Sequence, residues 1–319
     1  MNSISSALTM PDRPLIVILG ATATGKTSLA IDLAQRLNGE IISADSRQIY
    51  CEMDIGTAKA THEQQRLIPH HLIDIVNPDE TLSASQFQSR ALAAIDAIQE
   101  RGKLPFLVGG TGQYITMVTE GWSPPPVAPN EALRAELAAY AAHYGAIAFH
   151  ERLKHVDPAA AQLIHPNNVR RTIRALEVYY ETGQPFSQQR GSTPSPYRIM
   201  TVGLMVDHEV LYARADARIE AMMADGFLDE VRLLLDKGYD RALPSMTGLG
   251  YAELTAHLLD GEPLASAIQR TKQNTRDFIR RQEVWFRGHD RGIVWHNGER
   301  IDAAPLEDKF RTWLKETNA

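Results

Sequence analysis

A chain of 319 residues, 44% of them apolar, can bury a substantial core as one large domain or two ordinary ones. No apolar run is long enough to span a bilayer, Met1 to Arg13 lacks the apolar core of a signal peptide, and Cys51 is the only cysteine, so no membrane segment and no internal disulfide are expected and the expected location is cytoplasmic. The formal charge of −6 argues against a chain that is basic throughout, although nucleic-acid binding depends on where charge sits: from Arg270 to Arg291 seven basic residues accompany three acidic ones, a local balance of +4 that leaves −10 elsewhere.

In chain order, the apolar run Leu15–Leu19 predicts a buried strand, and Gly20-Ala21-Thr22-Ala23-Thr24-Gly25-Lys26-Thr27 follows it at once. That run fits G-x-x-x-x-G-K-[ST], the Walker A pattern of nucleotide- and ATP-binding loops. Two glycines let successive N–H groups converge on phosphate oxygens, the next helix points its positive end at them, Lys26 reaches round, and Thr27 can ligate Mg²⁺. Ser28–Leu37 reads as the amphipathic helix that must follow, closing near Gly39.

Glu40–Ser43, Leu72–Val76 and Leu104–Val108 predict further strands, with a helix over Ser85–Glu100 capped by Ser83 and Gln86. This alternation predicts an α/β fold with a P-loop NTPase-like parallel sheet. The segment Ser123–Pro129 reads as a stiff connector, helical patterns dominate Asn130–Glu181 with breaks at Pro158 and Pro166, and Tyr197–Val206 reads as a strand that returns to the sheet. The expected organisation is a catalytic core of 14–122 and 197–319 with a helical insertion domain of 123–196. Its C-terminal region is helical: His208–Asp225, Leu228–Lys237, Tyr251–Asp260 and Leu264–Phe286, then a short strand at Ile293–His296.

Asp45 follows the second predicted strand, at the edge where α/β sheets place ligands. Its carboxylate can hold Mg²⁺ through water, accept a proton from a nucleophile, or merely shape the loop as an Asx turn, and Ser46, Arg47 and Gln48 add hydrogen-bonding groups. The strand Leu104–Val108 runs into Gly109-Gly110-Thr111-Gly112 where NTPases often carry an Mg²⁺-holding aspartate, although Asp74 lies inside a neighbouring predicted strand. Thr111 can bind a substrate or stabilise its turn. Arg214 and Arg218 share a helix face and can either grip a diphosphate or pair with Asp207, Asp216 or Glu220. Arg170, Arg171 and Arg174, with Arg276, Arg280 and Arg281 further on, suit nucleic-acid phosphates or are simply solvated. His70-His71 suggests a metal only if a third ligand is found.

Taken together, Gly20–Thr27, Ser43–Tyr50, Met53–Lys59, Pro69–Leu72, Val108–Gly112 and Arg170–Glu177 resemble, in order and spacing, the tRNA dimethylallyltransferase family from about Pro14 to Trp295. The resemblance implies transfer of a dimethylallyl group from dimethylallyl diphosphate to N6 of adenosine 37 in tRNAs that read codons beginning with U, with diphosphate released and Mg²⁺ as cofactor. It implies that Asp45 is the general base, that Thr22 and Arg218 meet the diphosphate, and that the loop Gly20, Ala21, Thr22, Ala23, Thr24, Gly25, Lys26 and Thr27 holds the donor, with Thr27 on the metal. It further implies that the tRNA anticodon stem-loop is recognised through Asp45, Ser46, Arg47, Gln48, Thr111, Arg134, Arg170, Arg171, Arg174, Arg280 and Arg281, by loops near Met246–Tyr251, and by the inserted helical domain. Two departures stand out: Ala21 replaces a common proline, and Ala252 a frequent arginine or lysine. A monomer with no membrane partner is expected. An ATP-dependent small-molecule kinase, a prenyltransferase of free adenine nucleotides and a nucleotide-controlled RNA-binding switch are the competing readings.

Overall fold

The computed structural model describes residues 13–125, 127–189, 191–289 and 292–316; readings that touch Pro126, Asp290, Arg291 or the two chain ends lie outside the described residues. Pro14–Gly20 carries no charge and forms strand β1, whose alternation divides the core: Ile16 and Ile18 join one apolar cluster, Leu15, Val17 and Leu19 the other. The chain continues through α1 (Lys26–Arg36), β2 (Gly39–Ala44), α2 (His62–Leu67), β3 (His70–His71), α3 (Ala84–Glu100), β4 (Leu104–Gly109) and α4 (Gly112–Thr119). Then come β5 (Trp122–Ser123), α5 (Glu131–Tyr144), α6 (Ala146–Val156), α7 (Pro158–Leu163), α8 (Val169–Thr182), β6 (Gly191–Ser192) and β7 (Arg198–Met205). The C-terminal part comprises α9 (His208–Ala224), α10 (Phe227–Asp236), α11 (Tyr251–Asp260), α12 (Leu264–Gly288), β8 (Ile293–Asn297) and α13 (Ala303–Lys315).

Six parallel strands make one sheet in the order β3-β2-β4-β1-β7-β8. Leu29, Ala30, Leu33 and Ala34 of α1, with Leu306 and Phe310 of α13, cover one face. Phe87, Ala91, Ile95 and Ile98 of α3, together with Tyr114, Ile115 and Val118 of α4 and Phe286 of α12, cover the other, so β1 is buried on both sides as parallel strands require. A third cluster joins Ile49, Tyr50 and Met53 to Phe227, Val231, Tyr251 and Leu254 of the C-terminal helices, which anchors the segment that leaves β2.

The chain divides into two compact units, one of Met1–Thr119 with Ser195–Ala319 and the other of Glu120–Pro194. The second unit has its own core of Leu137, Phe149, Leu153, Leu176 and Val178 from α5, α6 and α8. Its ends lie side by side, because β5 pairs antiparallel with β6 and the Thr193 amide donates to the Gly121 carbonyl at 3.0 Å. The expected connector from Ser123 therefore begins as a strand.

Several expected boundaries move for physical reasons. The helix after the glycine-rich loop starts at Lys26 and ends at Arg36, and Asn38, with a φ of 51°, takes the left-handed position expected nearer Gly39. Pro158 opens α7 as its first residue, with Asp157 accepting from the Ala160 amide, so this proline starts a helix. The expected strand Leu72–Val76 is not one. The strand ends at His71, Leu72 and Asp74 adopt positive φ, and the amides of Asp74, Ile75 and Val76 donate to carbonyls of Gln48 and Ile49. Among the described residues no helix is long and apolar enough to cross a membrane.

Candidate active site

The loop Gly20–Thr27 links the carboxyl end of β1 to the start of α1. Gly25 sits at φ 93° and Ala23 at φ 65°, and the first turn of α1 has no side-chain cap. Thr24 Oγ1 and Lys26 Nζ both donate to the Ala21 carbonyl, at 2.8 and 2.7 Å, which folds the loop over itself. Among the described residues the amides of Ala23 to Ser28 have no protein acceptor, so they converge as donors suited to an anion.

Two cations face this ring. Lys26 is held at its floor, where burial first and the Arg218 charge second lower its pKa to about 8, against an opposing pull from Asp45. Arg218, on α9, lies at the rim with Nη1 3.4 Å from Thr22 Oγ1; it is open to solvent yet crowded enough for desolvation to lower its pKa from the guanidinium range. The alternative of surface ion pairs fails for Arg218, because Asp216 binds Arg276, Glu220 binds Lys272, and Asp207 caps α9. Arg214, too, has no ion pair among the described residues. Two positive groups pressed together without a carboxylate partner form a site for a multiply charged anion.

Asp45 follows β2 and supplies a carboxylate whose charge raises the Lys26 pKa. Its Oδ1 accepts from the Arg47 amide at 2.8 Å, so the Asx-turn reading is realised, and this fixes the side chain while Oδ2 has no hydrogen bond among the described residues. The Thr111 hydroxyl accepts from the Ser46 amide at 3.0 Å, and the Thr111 amide donates to the Ala44 carbonyl at 3.1 Å, which makes Thr111 the stay of this turn. Gln48 faces inward: its Oε1 accepts from Ser43 Oγ at 2.9 Å and its Nε2 donates to the Ala58 carbonyl at 3.1 Å. Arg47 donates to the Pro244 carbonyl at 2.6 Å.

The conspicuous block Asp54–Lys59 supports this segment. Lys59, with 3% of its side chain exposed, binds Asp54, Asp74 and the Tyr50 carbonyl. Asp74 is thereby held away from the phosphate loop, so it is no metal-holding strand aspartate. Glu230 of α10 accepts from the amides of Asp54, Ile55 and Gly56 and from the Tyr251 hydroxyl.

The basic residues separate into two groups. In the second unit Arg134 and Arg174 both bind Glu177, which is 0% exposed, and Arg174 also donates to the Val127 carbonyl; they hold the unit together. Arg170 and Arg171, on the first turn of α8, are exposed without an ion pair among the described residues. On α12, Arg270 and Arg287 join Lys272 and Arg276 in ion pairs, with Glu262 and Glu283 respectively, and Arg280 binds Asp277. Arg281 is exposed and its guanidinium lies 5.8 Å from the Phe278 ring. Lys272 and Arg276 therefore tie α12 to α9, whereas Arg280 and Arg287 pair within α12. Met246 and Tyr251 are buried, and Ala252 is exposed on α11.

Adjacent histidines make no metal site: His71 Nε2 lies 2.7 Å from Glu40 Oε2 and His70 Nδ1 2.8 Å from the Ile68 carbonyl. Among the described residues no group of three or more His, Cys, Asp or Glu could hold a metal ion. The exposed Thr27 instead offers one hard oxygen, which fits Mg²⁺ that keeps waters and takes its other ligands from phosphate.

One residue escaped the sequence. Gln282 of α12, 7% exposed, accepts from the Thr22 amide at 2.9 Å and donates to the Gly110 carbonyl at 2.8 Å. It lies 260 positions from Thr22, and no local pattern marks it.

The sequence profile described as "IPP transferase" matches residues 48–289. A tRNA dimethylallyltransferase of Roseiflexus sp. (strain RS-1) is 56% identical over 274 residues, covering 86% of this chain and 90% of that protein. One of Halalkalibacterium halodurans is 43% identical over 291 residues, covering 90% and 92%. Among solved structures, the full-length tRNA isopentenylpyrophosphate transferase of Bacillus halodurans superposes with a TM-score of 0.69 at 40% identity, covering 95% of this chain and 96% of that one. A eukaryotic dimethylallyltransferase acting on tRNA superposes with a TM-score of 0.77 at 27% identity, covering 95% and 78%. With more than half its length matched by the profile and near-complete coverage of such relatives, the chain belongs to the IPP transferase family.

Proposed function

We propose that this protein transfers the dimethylallyl group of dimethylallyl diphosphate to N6 of adenosine 37 in tRNAs that read codons beginning with U, in the cytoplasm and as a monomer. The observation that carries the reading is the pairing of a donor-only loop and two cations, Lys26 and Arg218, with a single oriented carboxylate, Asp45. An anionic leaving group and an amine that loses a proton need both halves.

In this reading the amides of the loop, Lys26, Arg218 and Thr22 hold the diphosphate. As the C–N bond forms between N6 and the allylic carbon, the C–O bond to diphosphate breaks and its electron pair leaves with the diphosphate. Asp45 takes the proton from N6. When bound, Mg²⁺ supplies further charge neutralisation to the leaving group, with Thr27 and water as its protein-side ligands. The adenine leaves its stack to reach Asp45, at a cost of a few kcal/mol offset by contacts to the stem-loop. Arg170, Arg171 and Arg281, exposed and without ion-pair partners among the described residues, are the best candidates for those phosphate contacts. Phosphoryl transfer is disfavoured, because β4 ends in Gly109 and Asp74 is committed to Lys59.

The test combines purified protein, Mg²⁺, dimethylallyl diphosphate and an anticodon stem-loop with adenosine at position 37. Isopentenyladenosine in the digested RNA is expected. Prenylated AMP without prenylated RNA would instead assign a free nucleotide as acceptor, and metabolite-stimulated ATP consumption a kinase.

A further inference from the structure

Gln282 connects the two halves of the site. Its Oε1 receives the Thr22 amide and its Nε2 reaches the Gly110 carbonyl, so one buried amide spans from the phosphate loop to the turn after β4. From there the path is continuous: Thr111 follows Gly110 and holds the Ser46 amide through its hydroxyl, and Ser46 follows Asp45. The fit is tight, since a Cβ on Gly110 would come within 2.4 Å of Gln282 Nε2. Neither hydrogen bond is available to a ligand, and an amide side chain that both accepts and donates is needed to satisfy the two ends.

We propose that Gln282 is a positioning residue that sets the separation between the diphosphate cradle and the carboxylate of Asp45. This rests on the function proposed above. Placing two reacting partners against each other is worth orders of magnitude in rate, and a small misplacement forfeits it without weakening the binding of either. Glutamate keeps the acceptor for Thr22 and loses the donor for Gly110; leucine loses both; alanine at Gly110 presses on the same bond from its far end.

The test uses the full chain as Gln282→Leu, Gln282→Glu and Gly110→Ala. Amide hydrogen exchange is followed at Thr22 and Ser46, and single-turnover prenylation is measured alongside equilibrium binding of inorganic diphosphate and of the stem-loop. We expect exchange at both amides to accelerate in the leucine variant, and the chemical step to slow about tenfold or more in all three while stem-loop affinity stays within about threefold. Exchange that changes at Thr22 alone, an unchanged rate, or a rate loss matched by equal loss of stem-loop binding would each overturn the role. Exchange as expected in a protein that forms no prenylated RNA would leave the link standing and remove the proposed function beneath it. Should the leucine variant fail to fold, the glutamate and Gly110 variants report on the same bridge.

Discussion

In the proposed reaction Asp45 and Lys26 do different work at the same site, and their substitutions are expected to separate accordingly. Replacing Asp45 by asparagine keeps an acceptor for the Arg47 amide and removes the base, so turnover is expected to drop by about 10²-fold or more with stem-loop affinity nearly intact, as single-turnover assays and filter binding will show. Lys26 has a pKa lowered to about 8, and a bound diphosphate raises it again, so donor binding takes up a proton once the pH exceeds that value. Affinity for inorganic diphosphate is expected to weaken up to about tenfold per pH unit above 8, with proton uptake visible by calorimetry in buffers of different ionisation enthalpy, and Lys26→Met should lose this dependence. The loop was legible because its contacts are local and its pattern is rigid. Gln282 was not, because a hydrogen bond across 260 positions leaves no periodicity, and Asp74 misled because an apolar run conceals the buried Lys59 that bends it out of strand geometry.

The edge of the sheet has its own electrostatic lock. Glu40 of β2 is buried, which alone would raise its pKa, but hydrogen bonds from Lys103, His71 and Arg101 bring it down to about 2. A carboxylate depressed on folding contributes stability that is complete above its unfolded value near 4.5 and is lost as the pH falls towards 2. Denaturant unfolding across that window should show a slope that Glu40→Gln reduces. In the helical unit Glu177 ties α8 to α5 and to the chain entering it, and Glu177→Ala removes the buried carboxylate that two arginines share, leaving Arg134 only Glu131 and Arg174 only the Pro125 and Val127 carbonyls. About 2–4 kcal/mol of destabilisation, seen as an early transition in thermal unfolding, is expected. Arg134 and Arg174 were expected on tRNA from the family pattern alone; the buried glutamate that recruits them is visible only once α5 and α8 are packed. Strands and long helices with caps were readable, whereas α2 and α13 went unseen although Thr61 and Gln64 form a capping box and Asp302 caps α13; α2 spans only six residues and buries none of them, so no apolar periodicity accompanies its cap.

Across the whole molecule, the division into a sheet core and an inserted unit followed from prolines and a change in periodicity, and its exit and entry close together through β5 and β6. Replacing 120–194 with a short glycine-serine linker should leave diphosphate binding by calorimetry within about threefold and weaken stem-loop binding by about 10²-fold or more, since phosphate contacts supply most of that affinity. Retention of full RNA affinity in that deletion would assign recognition to the core. The proposed donor cradle also bears on what remains after catalysis. In that reaction its amides and its two cations meet oxygens common to the starting allylic ester and the severed by-product, so freed pyrophosphate is expected to rebind and slow later cycles. Adding an inorganic pyrophosphatase should quicken multiple rounds without touching the first, and phosphate or sulfate buffers should slow both.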